Sequence, residues 1–177
     1  MLSPRLQLLR ESLQKLLRRS ANSHVARLLG RSRPADVAVV MRFLDDRQQR
    51  RVFDLLPDDE SRAETLAELD EHLILELLNG RDLHSLIPIV TAMSADDQAD
   101  VLSLLPDELR EALIDALQPS DAADVKDLLH YEPDTAGGIM STEYFSLLAT
   151  TTAGEAITQL QNSYDVEMAF YIYVINQ

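Results

Sequence analysis

A chain of 177 residues with 46% hydrophobic content is long enough for one domain with a real core, or for one domain and part of another. It has no cysteine, which excludes a disulfide framework and any thiolate metal site, and it has no apolar run near the ~18 residues that span a bilayer. The formal net charge of −14 is uneven: residues 1–33 carry eight Lys/Arg against one Glu, and residues 34–177 carry eight against 29 Asp/Glu. An acidic body argues against a phosphate-backbone partner, so no nucleic acid is expected. It suits divalent cations held by oxygen ligands, although acidic surfaces more commonly serve solubility alone. The N-terminus lacks the apolar core of a secretory signal, and the chain reads as soluble and cytoplasmic.

Residues 3–19 read as a basic amphipathic helix. Ser3 can cap it, and Pro4 sits at the first helical position. Leu6, Leu9, Leu13, Leu16 and Leu17 form one stripe, and Arg5, Arg10, Lys15, Arg18 and Arg19 supply the charge. Such a helix lies on a membrane surface or docks on the acidic body of its own protein; docking is the expectation.

From Val25 to Leu129 the pattern Val/Ile-x-x-Leu-Leu recurs at Val25–Leu29, Val52–Leu56, Ile74–Leu78, Val101–Leu105 and Val125–Leu129, at spacings of 27, 22, 27 and 24 residues. A period of that length fits two short helices and their turns, which must stack on neighbours to bury their faces. Short helices are predicted at 4–19, 23–30, 34–44, 47–56, 58–69, 71–79, 82–92, 95–105, 107–117 and 120–130. Ser94 with Asp97 looks like an N-cap with a carboxylate in the first turn, and Pro88 is expected to kink or split its helix. The fold class is therefore mainly α, a right-handed superhelix of short helical repeats.

The grammar changes at Tyr131-Glu132-Pro133-Asp134-Thr135-Ala136-Gly137-Gly138-Ile139-Met140. Pro133 disfavours helix at Glu132, and the adjacent glycines permit positive φ and close approach of another group. Local chemistry alone makes this a domain linker. Beyond it, 144–148 is a plausible strand, Thr152 to Glu155 has capping-box spacing before a helix running to about Ser163, and 170–175 is the strongest strand signal in the chain.

No catalytic constellation is present: no His-Glu-x-x-His, no phosphate-binding glycine loop, no nucleophile elbow, so no enzyme is expected. His24, His72, His84 and His130 are far apart, and His72 with Glu76 at i, i+4 reads as a surface contact. The acidic pairs and triplets at 45–46, 58–60, 70–71, 96–97 and 107–108 lack calcium-loop spacing, and the helix dipole accounts for most of them.

The run Tyr-x-x-Asp-x-Ala-Gly-Gly-Ile-Met, followed by Thr142-Glu143-Tyr144, resembles the junction of MgtE-family magnesium transporters, where a cytosolic helical domain meets a CBS (cystathionine-β-synthase-type) domain. The resemblance implies a helical-repeat domain over 1–130 with its basic helix at 1–20, a linker over 131–140, and a truncated first CBS motif over 141–177. It implies the magnesium-sensing regulatory region of a dimeric transporter at the cytoplasmic face of the bacterial inner membrane. Weakly bound regulatory Mg2+ would close the acidic helical domain on the CBS domain. The implied partners are a second copy and the remainder of the transporter. Carried over by position, the implied metal-facing groups are Glu64 and the backbone of Gly138. Two acids at a helix start are replaced here by Arg81 and Ser85, with Asp82 as the nearest substitute, and Asp165 and Glu167 are candidates by charge and position. The rival reading is an interaction scaffold resembling flagellar motor-switch repeats, which would not need residues 131–177.

Overall fold

The computed structural model describes residues 2–132, 135–138, 140, 144–162 and 171–176. Ten helices come first: α1 (Pro4–Arg18), α2 (Asn22–Leu29), α3 (Pro34–Met41), α4 (Asp46–Asp54), α5 (Asp59–Ala67), α6 (Glu71–Leu78), α7 (Leu83–Thr91), α8 (Ala95–Ser103), α9 (Asp107–Ile114) and α10 (Pro119–Leu128). A small β-α-β unit follows, with β1 (Ser146–Leu148), α11 (Ala153–Asn162) and β2 (Tyr173–Ile175).

Local chemistry sets the helix starts. Pro4, Pro34 and Pro119 open α1, α3 and α10, where the missing amide costs nothing. Four aspartates cap by one geometry: Asp45 accepts from the Gln48 N–H at 2.9 Å, Asp58 from Ser61 at 2.8 Å, Asp70 from Leu73 at 3.2 Å and Asp82 from Ser85 at 3.0 Å. Ser94 occupies the cap position of α8, but its side chain makes no capping bond; Asp96 and Asp97 supply negative charge in that first turn instead. Pro88 does not split its helix, and α7 runs through it as one element. The proline removes only one amide bond, and the apolar residues around it, Leu86, Ile89 and Val90, are anchored in the core.

Packing follows the repeat. Helix α1 meets α3, α3 meets α5, α5 meets α7 and α7 meets α9; α4 meets α6, and α8 meets α10. Odd and even helices thus form two layers. Each Val/Ile-x-x-Leu-Leu copy sits at the end of an even helix, and its first residue is buried every time: Val25, Val52, Ile74, Val101 and Val125. These residues join one apolar core that runs from Leu13 and Leu17 of α1 to Val125 of α10. Helix α1 is docked as expected, with Arg5 paired to Asp36 of α3 at 2.9 Å.

Strands β1 and β2 pair in parallel with Ser146 opposite Tyr173, Leu147 opposite Val174 and Leu148 opposite Ile175. The Thr152–Glu155 capping box forms: the Glu155 carboxylate accepts from the Thr152 N–H at 2.9 Å, and the Glu155 N–H donates to Thr152 Oγ1 at 3.4 Å. This unit has little core. Phe145 and Leu147 are buried, α11 buries nothing, and β2 is exposed along its length.

Candidate functional site

The acidic residues are not spread evenly over the surface. The first turns of α8 carry Asp96, Asp97 and Asp100, and i, i+4 spacing puts Asp96 and Asp100 on one helix face. That face borders a cavity of about 430 Å³ whose walls include Glu71 at the start of α6 and Gly138 of the junction, over a floor of Leu69, Ile74, Val101 and Leu104. Asp97 also lines a second cavity, with Glu64 of α5, Glu68 just past its end, and Arg33 and Pro34. The two cavities share Asp97 and Ala67. Glu64 and Gly138, which are distant in sequence, therefore border one continuous acidic surface.

The electrostatics of this surface are unfavourable as it stands. The Asp100 carboxyl is held above its usual range, first by desolvation against the cavity wall and then by the charge of Asp96. Asp96 Oδ1 is shielded from solvent and has no hydrogen-bond partner. A carboxylate oxygen in that state gains from any cation or donor that reaches it. Among the described residues, no three His, Asp or Glu side chains are drawn together as a direct metal cage. The arrangement suits an ion that keeps its water shell and touches one or two carboxylates, as magnesium does.

The junction holds its shape through a close approach. An added Cβ on Gly137 would lie 2.2 Å from Cδ1 of Tyr131, so the ring fits only because the side chain is absent. Thr135 Oγ1 accepts from the Gly138 N–H at 3.2 Å and donates to the Glu132 carbonyl at 2.7 Å.

Other sequence-predicted positions fall elsewhere. The Asp82 carboxylate caps α7, and Asp82 lines neither cavity. Arg81 pairs with Asp54, donates to the Leu77 carbonyl at 2.7 Å and stacks its guanidinium 5.0 Å from the centre of the Phe53 ring. Ser85 Oγ donates to the Asp82 carbonyl at 2.8 Å. Arg81 thus ties the end of α6 to α4, Ser85 belongs to the cap of α7, and the acidic helix start in the cavity is that of α8. Asp165 and Glu167 lie outside the described residues. Sequence reasoning assigned Asp96 and Asp97 to dipole stabilisation and did not single out Asp100; the available signal was the i, i+4 placement of Asp96 and Asp100. His72 and Glu76 do meet on the surface of α6, 3.8 Å apart.

Comparison with known proteins accords with this architecture. The family model described as the MgtE intracellular N domain matches residues 32–134. The magnesium transporter MgtE of Thermus thermophilus is 31% identical over 170 residues, which are 94% of this chain and 38% of that protein. The magnesium transporter MgtE of Enterococcus faecalis is 45% identical over 58 residues, 32% of this chain and 13% of that protein. The chain thus spans well under half the length of these relatives. A crystal structure of the cytosolic domain of the Mg2+ channel MgtE in complex with ATP superposes with a TM-score of 0.83 at 30% identity, over 95% of this chain and 69% of that one. The soluble part of a magnesium transporter shares the fold, with a TM-score of 0.78 at 23% identity, over 97% of this chain and 68% of that one. With its intracellular N-domain model matched across more than half of the sequence, the chain belongs to the MgtE family.

Proposed function

We propose that this chain is the magnesium-sensing regulatory region of a magnesium transporter, at the cytoplasmic face of the membrane. One observation carries the reading: Asp96, Asp97 and Asp100 share one acidic surface with Glu64 and Gly138, and there a buried carboxylate oxygen has no partner. Hydrated Mg2+ bound on this surface offsets the repulsion among its carboxylates. The helical domain then closes on the CBS-type β-α-β unit, and when magnesium is scarce the surface repels closure. Asp165 and Glu167 belong to the opposing side in this reading. The relatives' names as magnesium transporters support the choice of ion. Transport itself would be the work of the remainder of the protein, and the assembly is a homodimer.

Thermal melts with Mg2+, against NaCl at matched ionic strength, test the reading. Stabilisation follows RT ln(1 + [L]/Kd), so a shift of about 1 kcal/mol or less is expected near Kd. The D96N/D100N variant should lose the magnesium-specific part. A shift reproduced by NaCl, or unchanged in that variant, would remove the sensing role from this surface. A much larger magnesium-specific shift would mean that a complete, tight site lies within residues 1–177.

A further inference from the structure

The N-terminal end of the superhelix is opposite in sign to the acidic surface. Residues 1–51 hold twelve Lys/Arg against four Asp/Glu, whereas residues 52–177 hold four against 26. Among the described residues, two of the twelve form ion pairs, Arg5 with Asp36 and Arg42 with Asp70. Because α1 buries Leu13 and Leu17 against its own protein, its last basic turn projects outward. Leftover surface charge is ordinary. Here three of the unpaired arginines converge.

Arg18 at the end of α1 and Arg47 and Arg51 of α4 line one cavity of about 310 Å³, together with Leu17, Ser20 and Gln48. Ser20 holds a left-handed φ of 53°, which turns the chain out of α1 and into α2 along the cavity edge. Arg51 is fixed in place, because its Nε donates to Asn22 Oδ1 at 3.0 Å and its Nη2 donates to the same oxygen. The one carboxylate in the wall, Asp45, is turned to the backbone, capping α4 through the Gln48 N–H. Three guanidinium groups against one committed carboxylate leave a net charge of two positives. A phosphate ester carries about −1.5 to −2 at neutral pH, and a guanidinium fork matches its oxygens.

We propose that the cavity of Arg18, Arg47 and Arg51 binds a phosphate-ester group. That group belongs either to a soluble phosphate compound or to an anionic lipid headgroup. Nothing apolar needs to insert, because the leucine stripe of α1 is already occupied, so binding is electrostatic and superficial.

The test uses the whole chain, the charge-neutral variant R18Q/R47Q, and R27Q/R31Q as a control that removes the same charge outside the cavity. Arg18, Arg27, Arg31 and Arg47 are all exposed, so both variants should melt with the parent. Pyrophosphate is titrated at fixed ionic strength while the arginine Nε–H resonances are followed. Saturable binding is expected in the parent and in the control, and about tenfold weaker binding in R18Q/R47Q, which loses two charge-assisted donors. In a second arm, each protein is sedimented with phosphatidylcholine vesicles with and without phosphatidylglycerol. Vesicle binding that R18Q/R47Q loses and the control keeps assigns the lipid source; pyrophosphate binding without vesicle binding assigns the soluble one. Either result supports the site. Absence of saturable binding to both probes, or equal losses in the two variants, overturns it, the second because it would show a diffuse field in place of a site.

Discussion

Asp100 illustrates how a single carboxylate can be costly to a fold. Its native pKa lies above the ordinary 3.8, so its ionised form destabilises the native state at neutral pH. That penalty fades as pH falls through the native pKa and is gone below 3.8. We therefore expect Asp100→Asn to melt higher than the parent at pH 7 without divalent ions, and the gap to close on acidification. Equal melting at pH 7 would contradict the repulsion. Asp58 and Glu155 act in the opposite sense. Asp58 is lowered by hydrogen bonds with Ser61, and Glu155 by the backbone and then the side chain of Thr152. What they contribute is present above their unfolded pKa values and is lost as pH falls through the native ones. At Gly137, alanine would push its Cβ into the Tyr131 ring, at an expected cost of about 1–3 kcal/mol, measurable by chemical denaturation. The glycine pair was legible as permitting either positive φ or a close approach, and the Tyr131 ring at Gly137 is the second of these. Arg81 was not, because its partner Asp54 is 27 residues away and no local pattern announces it.

At the scale of elements, most starts and stops were readable, since prolines and aspartates act within one turn of the helix they open. Strands β1 and β2 came out shorter than the apolar runs that predicted them, because pairing, not propensity, sets their length. The buried glutamines were invisible in the sequence. Gln49 Nε2 donates to the Met41 carbonyl at 3.0 Å, and Gln98 Nε2 to the Met93 carbonyl at 2.9 Å, each tying the start of an even helix to the end of the preceding odd one. In a sequence, a glutamine among charged and polar neighbours, as Gln49 before Arg50 and Gln98 after Asp97, reads as surface. The docking of α1 rests on Leu13, which is fully buried. Leu13→Ala should cost about 2–5 kcal/mol, whereas a helix that rested on a membrane would barely affect the melt of the rest. A denaturant midpoint unchanged by L13A would undo the docking.

On the scale of the molecule, the two parts are built to different standards. The helical layers share one core, while the β-α-β unit exposes Tyr171, Tyr173 and Val174, and β2 has only β1 as a partner among the described residues. An apolar edge of that kind recruits another strand. We expect the chain to associate through residues 141–177 and a version ending at His130 to stay monomeric; sedimentation that finds both monomeric at about tens of micromolar, the range of weak contacts, would refute strand pairing. The helical layers, for their part, are joined largely by contacts between each helix and the one two places along. Such a stack has no keystone. An end pair can peel away while the middle keeps its core, so opening costs should climb from the termini inward in steps. Native-state hydrogen exchange should accordingly release α1 with α2, and α10, well before α5 and α7. The α1 wall of the arginine cavity would then be among the first parts to come loose, and α5, which carries Glu64, among the last.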